Sequence, residues 1–224
     1  VPHAFTEWMA DEDKQEKEDG EVELEDLGPS PHYLHTKWVL WFDGALQSGK
    51  RSGANDWAKN MKRVGDFDTV EDFWGVINNI PPPSKLPVGC NYHLFREGIM
   101  PMWEDDHNSK GGKWTYNEKR SAGMSTKSVD TMWLYAMLSL IGETYPDTSH
   151  ICGTVCSLRQ KQDRVAVWTS DAQDPTAYGL IGDVFRQALN DALGNGRSIN
   201  DRDLDYQPHD EALKKLSGAG GRKR

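Results

Sequence analysis

The sequence predicts an α+β domain in which helices cover one face of an antiparallel sheet. Three observations support this fold class. Short segments rich in strand-forming residues recur along the chain. Two of them, 151–159 and 164–170, are joined by the short charged turn QKQD, which is typical of a hairpin. Three segments with apolar residues at helical spacing are interspersed among the strands, which favours helices on one side of a sheet.

The strand segments are short and separated by turn or helix signals. The first, TKWVLWF, is followed by a stretch rich in Gly, Ser and Lys, residues 43–56, which predicts a long loop. The predicted strands are 36–42, 92–95, 112–116, 151–159 and 164–170.

Each helix has its own start and stop signals. The first, 68–80, opens with Thr69 and Asp72 in a near capping box and ends at the run PPPSKLP. The second, 128–142, is predicted to have Ser128 as its N-cap and to end at Gly142. The third opens with the dipeptide Asp174–Pro175, carries a buried apolar stripe, and ends at Gly194.

Charge divides the chain into segments. Residues 1–28 hold eleven of the 35 acids and two of the 26 bases, so this stretch alone carries the whole net charge of −9. The remaining 24 acids and 24 bases leave the body neutral, and a local basic patch on it is permitted. We therefore expect a disordered acidic arm over 1–29, one domain over 30–216, and a flexible basic tail over 217–224.

Composition argues against several classes of protein. No apolar run approaches the roughly 18 residues that a membrane helix needs, and no signal-like segment opens the chain. Three cysteines do not suggest a disulfide framework; Cys152 and Cys156 are expected to be buried, reduced thiols. The spacing of zinc ligands is missing, so neither a metal nor a cofactor is expected. An intracellular, cytoplasmic location is the resulting expectation.

Tryptophan is unusually frequent, with nine residues. Trp38, Trp41, Trp114 and Trp133 lie inside predicted strands or an apolar helix, which favours packing roles. Trp57, Trp103 and Trp168 instead lie in loops or at a strand end, where an indole can stack on a flat ligand. Taken singly, each of these three can also be ordinary packing.

Basic residues gather at the hairpin turn that precedes Trp168. Arg159, Lys161 and Arg164 are either an ordinary solvated turn or a clamp for phosphate groups. Two indoles suit a purine ring, and a cationic ring suits them better. A carboxylate that accepts two hydrogen bonds selects guanine, because N1 and N2 of guanine are both donors. A 7-methylguanosine carrying a polyphosphate, the messenger RNA cap, satisfies all three requirements.

Several separated motifs occur in the order known from one family. The segments KWVLWF, FDTVEDFW, PMWED, GGKW, LIGE and VAVWT resemble those of the eukaryotic translation initiation factor 4E family of cap-binding proteins, over about residues 31–206. The resemblance implies a curved antiparallel sheet of about eight strands backed by three long helices. It also implies that the cap lies on the concave side of that sheet.

The resemblance assigns a role to individual residues. Its stacking pair falls on Trp57 and Trp103, and its guanine-reading carboxylate falls on Glu104. Trp168 takes the position that contacts the N7 methyl group. The phosphate-binding bases fall on Arg159 and Arg164, and Lys161 lies close by.

A second surface follows from the same resemblance. The family binds a Tyr-x-x-x-x-Leu-hydrophobic helix, supplied by a scaffold factor of the 4G type or by a 4E-binding repressor. That surface falls on Val70, Trp74, Leu134 and Leu138. From the residues alone, packing of each i, i+4 pair into the core is favoured, whereas the resemblance favours an exposed groove. We expect a monomer.

Three functional hypotheses differ in class. The first is a cap-binding module that acts in translation initiation without catalysis. The second is an enzyme that uses the acidic segment EDDH, residues 104–107, as a metal site for phosphate ester hydrolysis, although consecutive residues rarely converge on one ion. The third is a cap-binding translational repressor that does not recruit the scaffold. The sequence does not separate the first from the third.

Overall fold

The computed structural model describes residues 30–44, 60–120, 127–211 and 214. The expected acidic arm, most of the loop 43–56, Trp57 and the expected basic tail lie outside these residues. The domain boundaries given by the sequence therefore stay predictions.

A single antiparallel sheet dominates the described chain, with seven strands in the order β2-β1-β3-β5-β6-β4-β7. The sequence analysis missed β2 and β7, which form the two edges of the sheet. The strands are β1 (Tyr33–Asp43), β2 (Lys62–Thr69), β3 (Asn91–Arg96), β4 (Gly112–Lys119), β5 (Ile151–Leu158), β6 (Gln162–Thr169) and β7 (Leu204–Pro208).

Three α-helices lie between the strands of the described chain. They are α1 (Val70–Ile77), α2 (Lys127–Ile141) and α3 (Pro175–Leu193), with 8, 15 and 19 residues. Short 3₁₀ turns occur at Pro83–Lys85, Thr148–His150, Gly194–Gly196 and Asp201–Asp203.

The local helix signals hold for α1 and α3. The Thr69 hydroxyl accepts a hydrogen bond from the backbone N–H of Asp72 at 3.1 Å, which confirms the cap of α1. Asp174 accepts from the backbone N–H groups of Thr176 and Ala177, and α3 then ends at Gly194, as predicted. Both caps satisfy backbone donors that the first turn of a helix leaves free.

The prediction for the start of α2 was wrong. The helix already includes Lys127, and Ser128 does not cap it. Its hydroxyl instead donates to Glu118 Oε1 on β4, at 2.9 Å. Ser128 therefore bonds to a carboxylate ten residues earlier in the chain instead of capping the start of the helix. The predicted end holds, since the last helical residue is Ile141 and Gly142 follows it.

The hairpin of β5 and β6 is confirmed, but its turn is shorter than predicted. It consists of residues 159–161, because β6 already begins at Gln162. Asp163, predicted as a turn residue, is a fully buried strand residue. Its burial is possible because Arg120 pairs with its carboxylate, at 3.0 Å from Nε to Oδ1.

The two faces of the sheet have different partners. On β6, Val165 and Val167 belong to the main core, which includes buried side chains from all three helices. The alternate residues Ala166 and Trp168 belong to a second cluster. Successive side chains of a strand point to opposite faces. We call the face of this second cluster the distal face, since it points away from α2 and α3.

The three cysteines are free and buried, which confirms the interpretation of Cys152 and Cys156 as unpaired thiols. Cys152 lies in the cluster of the distal face, whereas Cys90 and Cys156 lie in the main core. Within the described residues, none of the helices combines the length and apolar character that a membrane crossing requires.

Candidate functional site

The segment that carries Trp103 connects β3 to β4 and is held by its own polar side chains. Asn108 is fully buried, and its amide donates to the carbonyls of Met100 and Met102, both at 2.8 Å. Asp105 accepts from the N–H of Met100 at 2.9 Å. These bonds fix the backbone on both sides of the indole, so that its position is set before any ligand binds.

At the end of this segment, just before β4, the backbone passes close to the backbone at the end of β6. A side chain at Gly111 would place its Cβ 1.7 Å from the carbonyl oxygen of Thr169, which leaves room for glycine alone. The N–H of His209 donates to the Gly111 carbonyl at 2.9 Å. The end of β6, the start of β4 and the residue after β7 thus meet at one point.

Trp103 and Trp168 belong to one apolar cluster on the distal face. Trp103 is half-buried against this cluster, and Trp168 is buried in it. Phe95 contacts Trp168 edge to face, with ring centroids 5.4 Å apart. His209 packs on Trp168 at 4.3 Å between centroids. Of the two indoles, Trp103 therefore retains the area that a flat ligand can cover.

Lys113 brings positive charge directly to these indoles. Its Nζ lies 5.8 Å from the ring centroid of Trp103 and 6.0 Å from that of Trp168, within the range of a cation–π contact. Burial lowers the pKa of Lys113, and the nearby charges of Arg164 and Arg159 lower it further. Asp205 raises the pKa of Lys113 but does not outweigh these effects, so an anionic ligand group would add counter-charge.

Arg159, in the turn after β5, and Arg164, on β6, lie close to the same region. The Arg159 guanidinium donates from Nη1 to the carbonyl of Leu158 at 3.0 Å. Burial lowers its pKa, and the charge of Arg164 acts in the same direction, whereas Asp43 opposes both. Arg164 and Lys161 are exposed. The three bases predicted at the hairpin thus lie together, and two of them act electrostatically on Lys113.

A buried carboxylate limits the positive region on the side of β1. Asp43, the last residue of β1, accepts from Asn91 Nδ2 at 2.9 Å and lies 2.6 Å from His93 Nε2. All three side chains are buried. Asp43 raises the pKa of Arg159, which shows that its charge reaches the arginine. Anion binding is therefore favoured toward Lys113 and Arg164 rather than toward β1.

Glu104 is exposed beside Trp103. Within the described part of the chain its carboxylate has no hydrogen-bond partner, so its two oxygens are available to a ligand. The neighbouring acids do not converge with it: Asp105 bonds to Met100 and His107, and Asp106 is exposed. Among the described residues, no group of three acidic, histidine or cysteine side chains has an arrangement that would hold a metal ion.

The remaining predicted site residues fall into two groups. Trp57 lies outside the described residues, so its distance from Trp103 stays a prediction. The residues predicted to bind a partner helix are all partly accessible. Val70 is 37% exposed, and Trp74, Leu134 and Leu138 pack against the main core while remaining half-buried.

Two residues of this site, Lys113 and His209, were not predicted from the sequence. Burial and the charge of Lys113 lower the pKa of His209 to about 3, so its ring is neutral at pH 7. Within the described chain, neither of its ring nitrogens has a hydrogen-bond partner. Lys113 lies opposite Trp168 in the register of β4 and β6. A prediction that β4 pairs with β6 would have placed Lys113 beside Trp168. The sequence has no comparable signal for His209.

Comparison with known proteins decides the family. The model of the family described as eukaryotic initiation factor 4E matches residues 33–223. The chain belongs to this family. It is similar to eukaryotic translation initiation factor 4E-1 of Oryza sativa subsp. japonica, with 36% identity over 211 residues that cover 91% of this chain and 88% of the relative.

Solved structures of 4E proteins share the fold. Caenorhabditis elegans eIF4E-3, in a complex with the 4E-binding protein Mextli and a cap analog, matches with a TM-score of 0.70 and 34% identity, over 83% of this chain and 96% of that one. Ascaris suum eIF4E-3 with the m2,2,7G cap also gives 0.70, with 36% identity over 80% and 92% of the chains. This likeness confirms the predicted curved antiparallel sheet backed by helices, with seven strands in the described chain where about eight were expected.

Proposed function

We propose that this protein binds the 7-methylguanosine 5′ cap of mRNA on the distal face of its sheet. The observation that carries the proposal is the meeting of Trp103, Trp168, Lys113 and Arg164 on that face, with Arg159 close enough to act on the charge of Lys113. A flat cationic base needs aromatic faces, and the phosphates attached to it need cations. The 4E relatives that were solved with a cap analog or with m2,2,7G cap support the same ligand.

Each residue has a distinct task in this proposal. Trp57 and Trp103 stack on the two faces of the base, and Trp168 contacts the N7 methyl group. The exposed carboxylate of Glu104 accepts from N1 and N2 of guanine, a donor pair that adenine lacks. To the predicted phosphate-binding residues Arg159, Lys161 and Arg164 we add Lys113, because its ammonium group lies beside both indoles.

The task of this site is binding, and the proposal includes no bond-making step. Glu104 and the acids that follow it point to different partners or to solvent, which suits recognition of a base edge rather than coordination of an ion. We place the protein in the cytoplasm, where capped mRNA is translated; fractionation of cells that express a tagged chain tests this location.

We also propose that a scaffold factor of the 4G type docks a helix on the opposite side of the molecule. β1 connects the two helices of this surface. Tyr33, which is 74% exposed, lies opposite Thr69, the cap of α1. Thr36 donates to Glu143 just beyond α2, at 2.9 Å. An exposed aromatic ring beside Val70 enlarges the apolar area offered to an amphipathic helix.

Titration with methylated and unmethylated caps tests the main proposal. Quenching of tryptophan fluorescence should give a clearly higher affinity for 7-methyl-GTP than for GTP, because only the methylated base is cationic. Equal affinities for the two ligands would overturn cap recognition. Hydrolysis of the cap analogue in the presence of magnesium or manganese would favour the enzyme hypothesis instead.

Capture of protein partners tests the second surface. Trp74→Ala removes apolar area from the helix surface and should abolish binding of a Tyr-x-x-x-x-Leu peptide while cap affinity is unchanged. A peptide that binds the variant as well as the wild type would refute this surface. Adding the protein to a cap-dependent translation extract then separates the initiation factor, which stimulates translation, from the repressor, which inhibits it.

A further inference from the structure

A buried ion pair lies beneath the turn 159–161, which carries Arg159. Asp163 is fully buried, and the side chain of Arg120 is only 6% exposed. Arg120 Nε donates to Asp163 Oδ1 at 3.0 Å. Asp163 alternates with Val165 along β6, which places its side chain on the helix side of the sheet, opposite the distal face.

The same carboxylate holds the backbone of the turn. Asp163 Oδ1 accepts from the N–H of Arg159 at 3.3 Å. The Arg159 side chain is fixed separately, because its Nη1 donates to the carbonyl of Leu158. The ion pair therefore acts on the first residue of the turn 159–161. The guanidinium of that residue is close enough to Lys113 to lower the pKa of the lysine, and the charge of Arg164 in turn lowers the pKa of Arg159.

Stability alone does not explain a charged pair at this position. Removing two charges from water is costly, and apolar residues of similar volume often stabilise a fold as well or better. An apolar pair would leave the N–H of Arg159 without this acceptor. A carboxylate, held in place by a cation, is suited to fixing a backbone donor at a turn.

We propose that Arg120 and Asp163 are positioning residues for the phosphate end of the ligand. Through the N–H of Arg159 they hold the β5–β6 turn in the conformation that presents Arg159 and Arg164 to a polyphosphate. Affinity then requires less ordering of long side chains at the moment of binding. This inference rests on the proposed function and concerns the phosphates rather than the base.

The test compares two ligands that share the base and differ in their phosphates, 7-methylguanosine and its 5′-triphosphate. In the wild type, the triphosphate should bind more tightly. Arg120→Met should lower the triphosphate affinity about tenfold, the effect of losing part of one charge-assisted hydrogen bond. The affinity for the nucleoside should stay unchanged, and Arg120→Lys should restore most of the triphosphate affinity, because it returns a cation to the carboxylate.

Arg197→Met is the matched control. It removes a cation that pairs with Glu118, another buried carboxylate on the helix side of the sheet, and it removes none of the hydrogen bonds of Arg159 described above. This variant should keep the wild-type ratio of the two affinities. If Arg120→Met does not fold, Asp163→Asn replaces it, since the amide oxygen keeps the shape and loses the charge.

The outcomes separate the two proposals. An unchanged ratio in Arg120→Met, an equal loss for both ligands, or the same loss of ratio in Arg197→Met would overturn the positioning role. Selective loss of triphosphate affinity with rescue by lysine supports it. A wild type that binds neither ligand would overturn the proposed function itself, and the positioning role with it.

Discussion

Replacing Lys113 by methionine tests the electrostatics of the site most directly. The ammonium group lies about 6 Å from two indole centroids, at 5.8 and 6.0 Å, and is partly deprived of water. Arg164 and Arg159 repel it, and the opposing charge of Asp205 does not outweigh burial and this repulsion. Phosphate groups of a bound cap would relieve this repulsion. We therefore expect Lys113→Met to weaken binding of 7-methyl-GTP.

The size of the loss follows from the type of contact. One hydrogen bond between an ammonium and a phosphate contributes about 1.5 to 3 kcal/mol, which corresponds to roughly 10- to 150-fold in affinity. Removal of the repulsion between Lys113 and the two arginines offsets part of this loss, so the lower end of the range is expected. The thermal midpoint should not fall, since methionine avoids the cost of a desolvated charge.

Lys110→Met is the control for net charge. Lys110 is an exposed lysine three residues earlier, and its substitution changes the charge of the protein by the same amount. Isothermal titration calorimetry on both variants and the wild type measures the difference. Equal affinities in the two variants would refute the assignment of Lys113 to the site and leave only a long-range effect of charge.

Three further outcomes are expected. Trp103→Ala should weaken binding of a cap analogue more than about tenfold, because it removes one aromatic face; an unchanged quenching constant would refute the stacking role. Glu104→Gln should reduce the preference for guanine over adenine ligands without lowering the thermal midpoint, since Glu104 is exposed; retained preference would remove its role in reading the base. The pKa of His209 is lowered from 6.5 to about 3, so its contribution to stability is complete above pH 6.5 and is lost as the pH falls toward 3. His209→Phe should flatten the decline of the free energy of unfolding over this interval, by at most about 1.4 kcal/mol per pH unit; urea titrations that give the wild-type slope would contradict this.

Local signals explain the parts of the fold that the sequence predicts well. Thr69 and Asp174 bond to N–H groups two or three residues away, so their capping role needs no knowledge of the rest of the molecule. The main apolar strands are equally recognisable, because they are buried on both faces or carry a regular alternation. The placement of Trp168 and Arg164 on one face of β6 follows from the same period of two.

Long-range contacts explain what the sequence analysis missed. The strands β2 and β7 are sheet edges that pair on one side only, and a polar sequence such as KRVGDFDT satisfies such a strand. Ser128 bonds to Glu118 instead of capping its helix, and Asp163 pairs with Arg120 and lies in β6 instead of in the turn. Lys113 enters the site only through the pairing of β4 with β6. None of these partners can be read from neighbouring residues.

Cys152 and Cys156 lie on opposite faces of the sheet, so their reaction rates report local opening on each face separately. Burial raises the pKa of Cys152 to about 12 and raises that of Cys156 as well, so neither thiol reacts readily while it is buried. Alkylation must then wait for an opening that exposes the sulfur. Mass spectrometry of the labelled peptides would assign each opening to the distal face through Cys152, or to the helix side through Cys156. A bound ligand that slows only the first reaction would show that the two sides loosen independently.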